Sequence, residues 1–189
     1  MLQREIEDRD GEGITLINIG QINHEQGDYP AALEYYKQAL PIAREIKEKR
    51  MESTVLNNIS QVYHDQGKLD AALEYAEQDL AITRQISDRR GEGTTLNNIA
   101  AMYEAKEDYP AALKQYEQSL IIRKEIGDKA GEAITIWNIG LLYRDQGEMA
   151  RAEPYLSRAM ELMEQLEHPM LENARKALEA VRTKLQKQQ

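Results

Sequence analysis

Asparagine recurs at one position of the sequence at intervals of 40 residues, and further asparagines stand beside it. The column consists of Asn18, Asn58, Asn98 and Asn138, with Asn57 and Asn97 as neighbours. Asparagine is a poor helix former because its side chain competes for backbone hydrogen bonds. A side-chain amide offers both a donor and an acceptor, so the column could hydrogen-bond the main chain of an extended peptide. The alternative is a structural role, in which each amide bonds a neighbouring helix.

Two glutamines and one tryptophan accompany the asparagine column. Gln21 and Gln61 stand at equivalent positions shortly after the column, and we expect them to flank the same surface. Trp137 is the only tryptophan, and it occupies the position that Asn57 and Asn97 hold one or two intervals earlier. A large apolar side chain in a binding surface is a typical energetic hot spot. Trp137 is therefore predicted to anchor a partner; the alternative is that the C-terminal segment covers it.

The histidines and acidic residues do not form a catalytic or metal-binding pattern. Helices packed about 10 Å apart would hold His24 and His64 too far apart to share a metal whose bonds are about 2 Å long. The segment that starts at His24 begins like a zincin motif, but Asp28 stands where the second histidine is required. The sequence also contains no recognisable nucleophile–base pair and no phosphate-binding loop. We therefore expect no enzyme activity, no cofactor and no metal site.

The charge of the chain restricts its partners. Charged residues make up 30% of the sequence, and the formal net charge is -9. An acidic surface repels phosphate groups, so neither nucleic acid nor an anionic membrane is expected as a partner. No apolar run approaches the roughly 18 residues of a membrane-spanning helix, and the charged start lacks the apolar core of a signal peptide. The absence of cysteine fits a reducing compartment, so a cytoplasmic location is expected.

The interval that spaces the asparagines also organises the rest of the chain. Similar 40-residue stretches begin at Gly11, Met51, Gly91 and Gly131 without gaps. A fixed period of this size indicates stacked supersecondary units that bury their faces against their neighbours. Apolar residues within each unit follow the periodicity of two helices. The expected first helices lie near 12–26, 52–66, 92–106 and 132–146, and the expected second helices near 29–48, 69–87, 109–126 and 149–166.

Turn and capping residues separate the two helices of each unit. Gly27, Gly67 and Gly147 stand where a first helix must end in a left-handed residue. Asp28 and Asp108 fit the N-cap of the following helix, because their short carboxylates can accept from free backbone N–H groups. These signals predict a tight turn inside each unit.

Two prolines lie inside the predicted second helices. Pro41 is placed in a helix interior, where it removes a backbone hydrogen bond and is expected to kink the helix. Pro154 is about one turn into its helix and is expected to delay the helix start.

Both ends of the chain depart from the repeat. Residues 2–10 read as the end of a helix from a truncated preceding repeat; a short native cap is the alternative. Four of these residues, Leu2, Arg4, Glu5 and Ile6, align with Ile122, Lys124, Glu125 and Ile126 at the close of the third repeat. Residues 169–189 carry an apolar stripe with charged residues opposite, which is what a terminal capping helix needs, and their end is expected to fray. The stripe consists of Leu171, Ala174, Leu178, Val181 and Leu185.

The units resemble tetratricopeptide (TPR) repeats, which have large, small and aromatic residues at set offsets. In the third unit the matching residues are Leu96, Ile99, Ala100, Tyr103, Ala112, Tyr116 and Ser119. The sequence departs from the family pattern where Asn23 replaces a tyrosine, Ala76 an aromatic residue and Asp79 an alanine. Asp79 would need a partner for its carboxylate, which the sequence does not identify. The 40-residue period is similar to that of kinesin light chain, of the LGN/Pins scaffolds and of bacterial signalling-associated TPR arrays.

The resemblance implies a fold and a division of the chain. The fold would be an all-α, right-handed TPR superhelix, or α-solenoid, of helix-turn-helix repeats with a C-terminal capping helix. The repeats would span residues 11–50, 51–90, 91–130 and 131–168, between an N-terminal helix end at 1–10 and the capping segment at 169–189. First helices of this family line a concave groove, so the asparagine column would act as a ladder for an extended or helical peptide of a protein partner.

Two further functions stay open. One is an effector-sensing region of a larger signalling protein. The other is an architectural or self-associating spacer, in which the exposed N-terminal repeat end would form a homo-oligomer.

Overall fold

The computed structural model describes the backbone of residues 2–187 and the side chains of residues 8–187. This part of the chain folds into helices without a strand, which confirms the predicted all-α class of helix-turn-helix repeats. The helices are α1 (Leu2–Glu25), α2 (Tyr29–Glu45), α3 (Lys49–Asp65), α4 (Leu69–Gln85), α5 (Arg89–Ala105), α6 (Tyr109–Glu125), α7 (Lys129–Asp145), α8 (Met149–Gln165) and α9 (Leu171–Gln186). The assignment of repeat boundaries at residues 11, 51, 91 and 131 stays a prediction.

The predicted turns inside the repeats are confirmed. Gly27, Gly67 and Gly147 have φ angles of 79°, 72° and 79°, the left-handed conformation that glycine adopts without a steric penalty. The Asp28 carboxylate accepts a 3.1 Å hydrogen bond from the N–H of Ala31, three residues into the next helix. Asp108 makes the equivalent bond to Ala111 at 3.2 Å. These contacts satisfy N–H groups that have no partner within the helix.

A second set of turns, after the second helices, lies earlier than the sequence indicates. Lys47, Ser87, Gly127 and Glu167 adopt left-handed φ angles between 50° and 70°. Three of these four residues are not glycine, so their conformation is a cost that helix packing must offset. As a result α3, α5 and α7 begin three residues before the predicted starts, at 49, 89 and 129.

The N-terminal helix corrects one expectation. Instead of a separate helix end over 2–10 and a new helix near 12, α1 runs without a break from Leu2 to Glu25. The position equivalent to the left-handed residues above is Glu7, and the chain stays helical through it. Right-handed helix is the lowest-energy conformation for a non-glycine residue unless packing enforces a turn. The side-chain alignment proposed for residues 2–6 lies outside the described side chains.

The chain divides into two compact units, residues 1–91 and 92–189. In the first unit, α1, α2 and α3 form a buried cluster around Tyr36, which is fully buried. The backbone of α1 approaches this ring closely at Gly20, where an added Cβ would lie 2.6 Å from Tyr36 Cε1. The small residue expected at this position is therefore required by the ring. Asp79 is buried on α4 and accepts a hydrogen bond from the Ser53 hydroxyl, which identifies one partner for its carboxylate.

In the second unit, residues of α5 to α9 share one apolar core. The predicted C-terminal capping helix is confirmed as α9, whose buried residues Ala174, Ala177, Leu178 and Val181 pack into that core. Pro154 does not delay the start of α8, which begins at Met149 and continues through the proline. Pro41 likewise lies within an uninterrupted α2, and a kink there stays a prediction.

Candidate partner-binding site

Two amides of the predicted column meet between neighbouring first helices of the second unit. The Asn138 amide nitrogen on α7 donates to the Asn97 amide oxygen on α5 at 3.2 Å. The same oxygen lies 3.3 Å from the Thr135 hydroxyl, which donates to it. Asn97 and Asn138 are half-buried, so part of each amide faces solvent. The structural alternative therefore holds for this pair, although the Asn97 nitrogen and the Asn138 oxygen retain hydrogen-bonding capacity.

The first unit lacks such a pair, and its amides are placed differently. Asn58 on α3 is equivalent to Asn138, but the residue equivalent to Asn97 is Ile17, a buried isoleucine on α1. Within the described chain, the half-buried side chain of Asn58 makes no hydrogen bond. Asn18 on α1 is exposed, and Asn57 and Asn98 are half-buried. Asn18 and Asn58 are thus the column members that make no hydrogen bond within the described chain.

The remaining predicted site residues differ in accessibility. Gln21 is exposed and donates to Glu25 at 3.1 Å, one turn further along α1. Gln61 is half-buried and donates to the Asp65 carboxylate at 3.1 Å. Trp137 is only 6% exposed and belongs to the apolar core of the second unit. The structure therefore favours the alternative for Trp137, namely that it is covered, and a partner would have little of its ring to contact.

Two histidines converge on one carboxylate in the first unit, which the sequence did not indicate. His24 Nε2 lies 2.7 Å from one Asp65 oxygen, and His64 Nδ1 lies 3.2 Å from the other. Burial acts to raise the pKa of the Asp65 carboxyl, but the bonds from His24, His64 and Gln61 hold it below its ordinary value. The sequence analysis considered only the distance between the two histidines, and it overlooked Asp65, which contacts both of them. The described residues contain no group of three or more side chains arranged to hold a metal.

A buried polar chain lies behind the asparagine pair of the second unit. The Ser119 hydroxyl donates to the Gly93 carbonyl at 2.7 Å and lies 3.4 Å from the Thr135 hydroxyl. Arg123 Nε donates to Ser119 at 3.2 Å, and its Nη1 lies 2.9 Å from the Asp128 carboxylate. Sequence analysis missed this chain, although a serine at the family's alanine position was the available signal. A series of polar contacts thus runs from the amide pair to the turn before α7.

A column of glutamates at the 40-residue interval, Glu12, Glu52, Glu92 and Glu132, was also missed. Glu52 is buried and bonds Arg44 at 2.8 Å and Lys49 at 2.7 Å. Burial acts to raise the pKa of Glu52, but the Lys49 and Arg44 bonds outweigh it and lower the pKa. Glu132 is equally buried and pairs with Lys129 at 2.8 Å. Glu52 and Glu132 carry a structural role, since their buried carboxylates form ion pairs with cations of the same chain.

Within the described chain, none of the helices is long and apolar enough to span a membrane.

Comparisons with known proteins place the chain in a family. A family model described as tetratricopeptide repeat matches residues 2–45, 51–125 and 92–165. None of the curated proteins compared with the chain matches it.

Solved structures of similar fold share little sequence with this chain. BtubC (BKLC) from P. vanneervenii is 20% identical with a TM-score of 0.78, and the match covers 95% of this chain and 82% of that chain. A Rap protein complexed with competence and sporulation factor is 19% identical with a TM-score of 0.80, over 93% of this chain but only 50% of its own. A putative kinesin light chain from Podosopora anserina is 18% identical with a TM-score of 0.68, over 93% of this chain and 95% of its own. Repeats, fold and family model agree, and the chain belongs to the tetratricopeptide repeat family.

Proposed function

We propose that this protein is a protein–protein interaction module that binds a peptide segment of a partner through the amides of its first helices. The observation that carries the proposal is Asn58, a half-buried amide in mid-helix without a hydrogen bond in the described chain. An amide so placed is costly to a helix and gains nothing from its neighbours, so a ligand is the simplest source of compensation. The finer feature, an asparagine ladder in a groove, belongs to this proposal.

The asparagine pair of the second unit would serve the same role in a different way. Because Asn138 donates to Asn97, the unused groups are an N–H donor on Asn97 and a carbonyl acceptor on Asn138. Their mutual bond fixes the orientation of both amides before a ligand arrives, which lowers the ordering cost of binding. A peptide backbone offers the complementary carbonyl and N–H, so this pair would read the main chain rather than a particular side chain.

Backbone reading of this kind predicts modest affinity. Each hydrogen bond contributes a net ~0.5–1.5 kcal/mol, and association itself costs several kcal/mol. With a net charge of -9, the protein would favour a neutral or basic peptide. We infer that it has no catalysis of its own and acts in the cytoplasm, consistent with a cysteine-free chain.

A phage-displayed library of random peptides, followed by isothermal titration with the selected sequences, tests the proposal. Asn58→Ala is expected to weaken binding severalfold while the melting temperature stays near that of the wild type. Asn173→Ala, at an exposed asparagine on α9, is the matched control and should bind like the wild type.

Selected peptides with N-methylated backbone amides provide the decisive comparison. They should lose binding if the amides read the main chain. Equal binding by methylated and unmethylated peptides, or by Asn58→Ala and the wild type, would contradict the proposal.

The second candidate function is an effector-sensing region of a larger signalling protein. Two observations favour it: the similar Rap protein was solved with competence and sporulation factor, and the buried polar chain from Asn97 to Asp128 could couple a bound effector to the α6–α7 turn. Titration of the same protein with a metabolite collection separates the two functions. Binding of a small molecule but of no peptide would favour the sensor.

A further inference from the structure

Helix α1 exposes a face that the equivalent helices bury. Ile22 is 54% exposed, whereas the residues at its position in the later repeats, Val62, Met102 and Leu142, are at most 1% exposed. Leu16 is half-buried, while its equivalents are buried. The residues at these positions of α3, α5 and α7 are thus buried, whereas nothing in the described chain buries Ile22 in α1. Leu16 and Ile22 of α1 are nonetheless large apolar residues, as are the buried residues at the same positions of the later repeats.

The exposed stripe of α1 has a symmetric sequence. Ile14, Asn18 and Ile22 are four residues apart, lie on one side of the helix and are all exposed, the isoleucines by 48% and 54%. Reading outward from Asn18 in either direction gives an isoleucine at the fourth residue. If two such helices pack antiparallel with their Asn18 residues opposed, Ile14 of each faces Ile22 of the other.

We propose that this face binds a second copy of the chain, in an isologous, antiparallel α1–α1 contact centred on Asn18. An isologous contact requires a patch that is complementary to itself, and the Ile14–Asn18–Ile22 stripe meets that condition. The contact uses Asn18 of the asparagine column but neither Asn58 nor the Asn97–Asn138 pair, so peptide binding at those residues can fail while the contact holds.

Asn18 supplies the polar part of the contact. In the second unit, Asn138, at the position equivalent to Asn18, donates to an asparagine oxygen on a neighbouring first helix. In the described chain Asn18 makes no hydrogen bond. Two opposed Asn18 amides can each donate to the other's oxygen, because every amide carries both functions. A single buried asparagine pair of this kind fixes the register of paired helices.

The distribution of charge points to a like partner. A protein with a net charge of -9 repels its own copy over most of its surface. Residues 13–23 of α1 contain no charged residue, although 30% of the sequence is charged, so two copies can meet there without like charges. The exposed side of α9, which carries Glu172, Arg175, Lys176, Glu179 and Arg182, would instead lose hydration against an apolar stripe.

Sedimentation equilibrium of the 189-residue chain over micromolar to millimolar concentrations is the first test. The wild type is expected to shift from monomer to dimer, and Ile22→Glu to weaken the dimer more than tenfold because it places a carboxylate against Ile14 of the other copy. Ile121→Glu is the matched control, since Ile121 is 56% exposed on α6 outside the stripe, and it should dimerise like the wild type. A wild type that stays monomeric at every concentration would overturn the proposal. The exposed face of α1 would then have to pack against a helix other than α1 of a second copy.

Cysteine substitution tests the register, because the natural chain has no cysteine. Asn18→Cys should form a disulfide-linked dimer under mild oxidation, since a disulfide requires the two Cα atoms to lie within about 7 Å. In the antiparallel register Ile14→Cys should not cross-link to itself but should cross-link to Ile22→Cys when the two variants are mixed. Cross-linking of Ile14→Cys alone, or of Ile121→Cys as readily as Asn18→Cys, would refute the proposed contact.

Discussion

The Asn138 amide nitrogen donates a 3.2 Å hydrogen bond to the Asn97 amide oxygen, and so joins two first helices of adjacent repeats. The equivalent of this contact in the first unit is impossible, because Ile17 stands where Asn97 stands. The asparagine column is therefore uniform in sequence but not in structure. One member is tied to a neighbouring helix, and another, Asn58, makes no hydrogen bond within the described chain.

This difference predicts opposite effects of two similar substitutions on stability. Asn97→Ala removes the acceptor for both Asn138 and Thr135 and should lower the free energy of unfolding by about 1–2 kcal/mol. Asn58→Ala removes no intramolecular hydrogen bond and improves helix propensity, so the free energy of unfolding should be unchanged or slightly higher. Urea denaturation followed by circular dichroism measures both. Equal destabilisation by the two variants would show that Asn58 also has a structural role.

A second prediction concerns two glycines of α1. Gly20→Ala would place Cβ 2.6 Å from the buried ring of Tyr36, and should lower the free energy of unfolding by about 1–3 kcal/mol because the ring has no room to move. Gly11→Ala is the control: no atom lies within 4 Å of its added Cβ. Since alanine is the better helix former, the free energy of unfolding of Gly11→Ala should rise by about 0.5–1 kcal/mol. Thermal and urea unfolding of the two variants check the contrast. A stable Gly20→Ala would mean that α1 and α2 are less closely packed than described.

The sequence predicts the helices of this chain well, because periodicity, glycine and N-cap residues are local signals. Gly27 and Asp28 specify their turn without reference to the rest of the molecule, and the turn is found where they place it. The turns at Lys47 and Ser87 could not be located so well, since no glycine marks them and packing alone maintains their left-handed backbone.

The candidate site was less predictable, because it depends on which side chains meet between repeats. Asn138 and Asn58 are equivalent in sequence, but only Asn138 finds an amide partner, because Ile17 stands in the first unit where Asn97 stands in the second. The meeting of His24, His64 and Asp65 depends likewise on the contact between α1 and α3. Spacing along a chain gives the interval between repeats but not the rotamers that bring these groups together.

Glu52 predicts a pH dependence of stability. Its pKa is lowered in the folded protein, so the carboxylate stabilises the fold at pH values above its ordinary pKa, and this contribution is lost as the pH falls through the folded pKa. Glu52→Gln should therefore be less stable at neutral pH, by about 1–3 kcal/mol, and should lose less stability on acidification than the wild type does. Urea unfolding at a series of pH values is the measurement.

Glu12→Gln is the matched control for this prediction. Glu12 occupies the same place in the first repeat, but its side chain is 50% exposed in its pair with Arg9, and exposed pairs contribute little. The free energy of unfolding of Glu12→Gln should equal that of the wild type at every pH of the series. Parallel curves for Glu52→Gln and the wild type would instead show that Glu52 has the same pKa in the folded and unfolded states.

Tyr36 and Tyr116 occupy equivalent positions, but their hydroxyls differ in hydrogen bonding. The Tyr116 hydroxyl donates to Glu104 at 2.9 Å, whereas the Tyr36 hydroxyl is buried without a protein partner in the described chain. Burial, with a smaller effect of Glu25, raises the pKa of Tyr36 to about 12. Burial also raises the pKa of the Glu104 carboxyl, and the Tyr116 hydrogen bond acts to lower it.

Removal of each hydroxyl should consequently have opposite effects. Tyr116→Phe leaves a half-buried carboxylate without its donor and should lower the free energy of unfolding by about 1–3 kcal/mol. Tyr36→Phe removes a buried polar group that no protein atom satisfies, and should be neutral or stabilise the protein by up to about 1 kcal/mol. The two unfolding curves, recorded in urea at neutral pH, give the comparison directly. If Tyr36→Phe is the more destabilised variant, its hydroxyl has a partner that the arrangement of α1 and α2 does not supply.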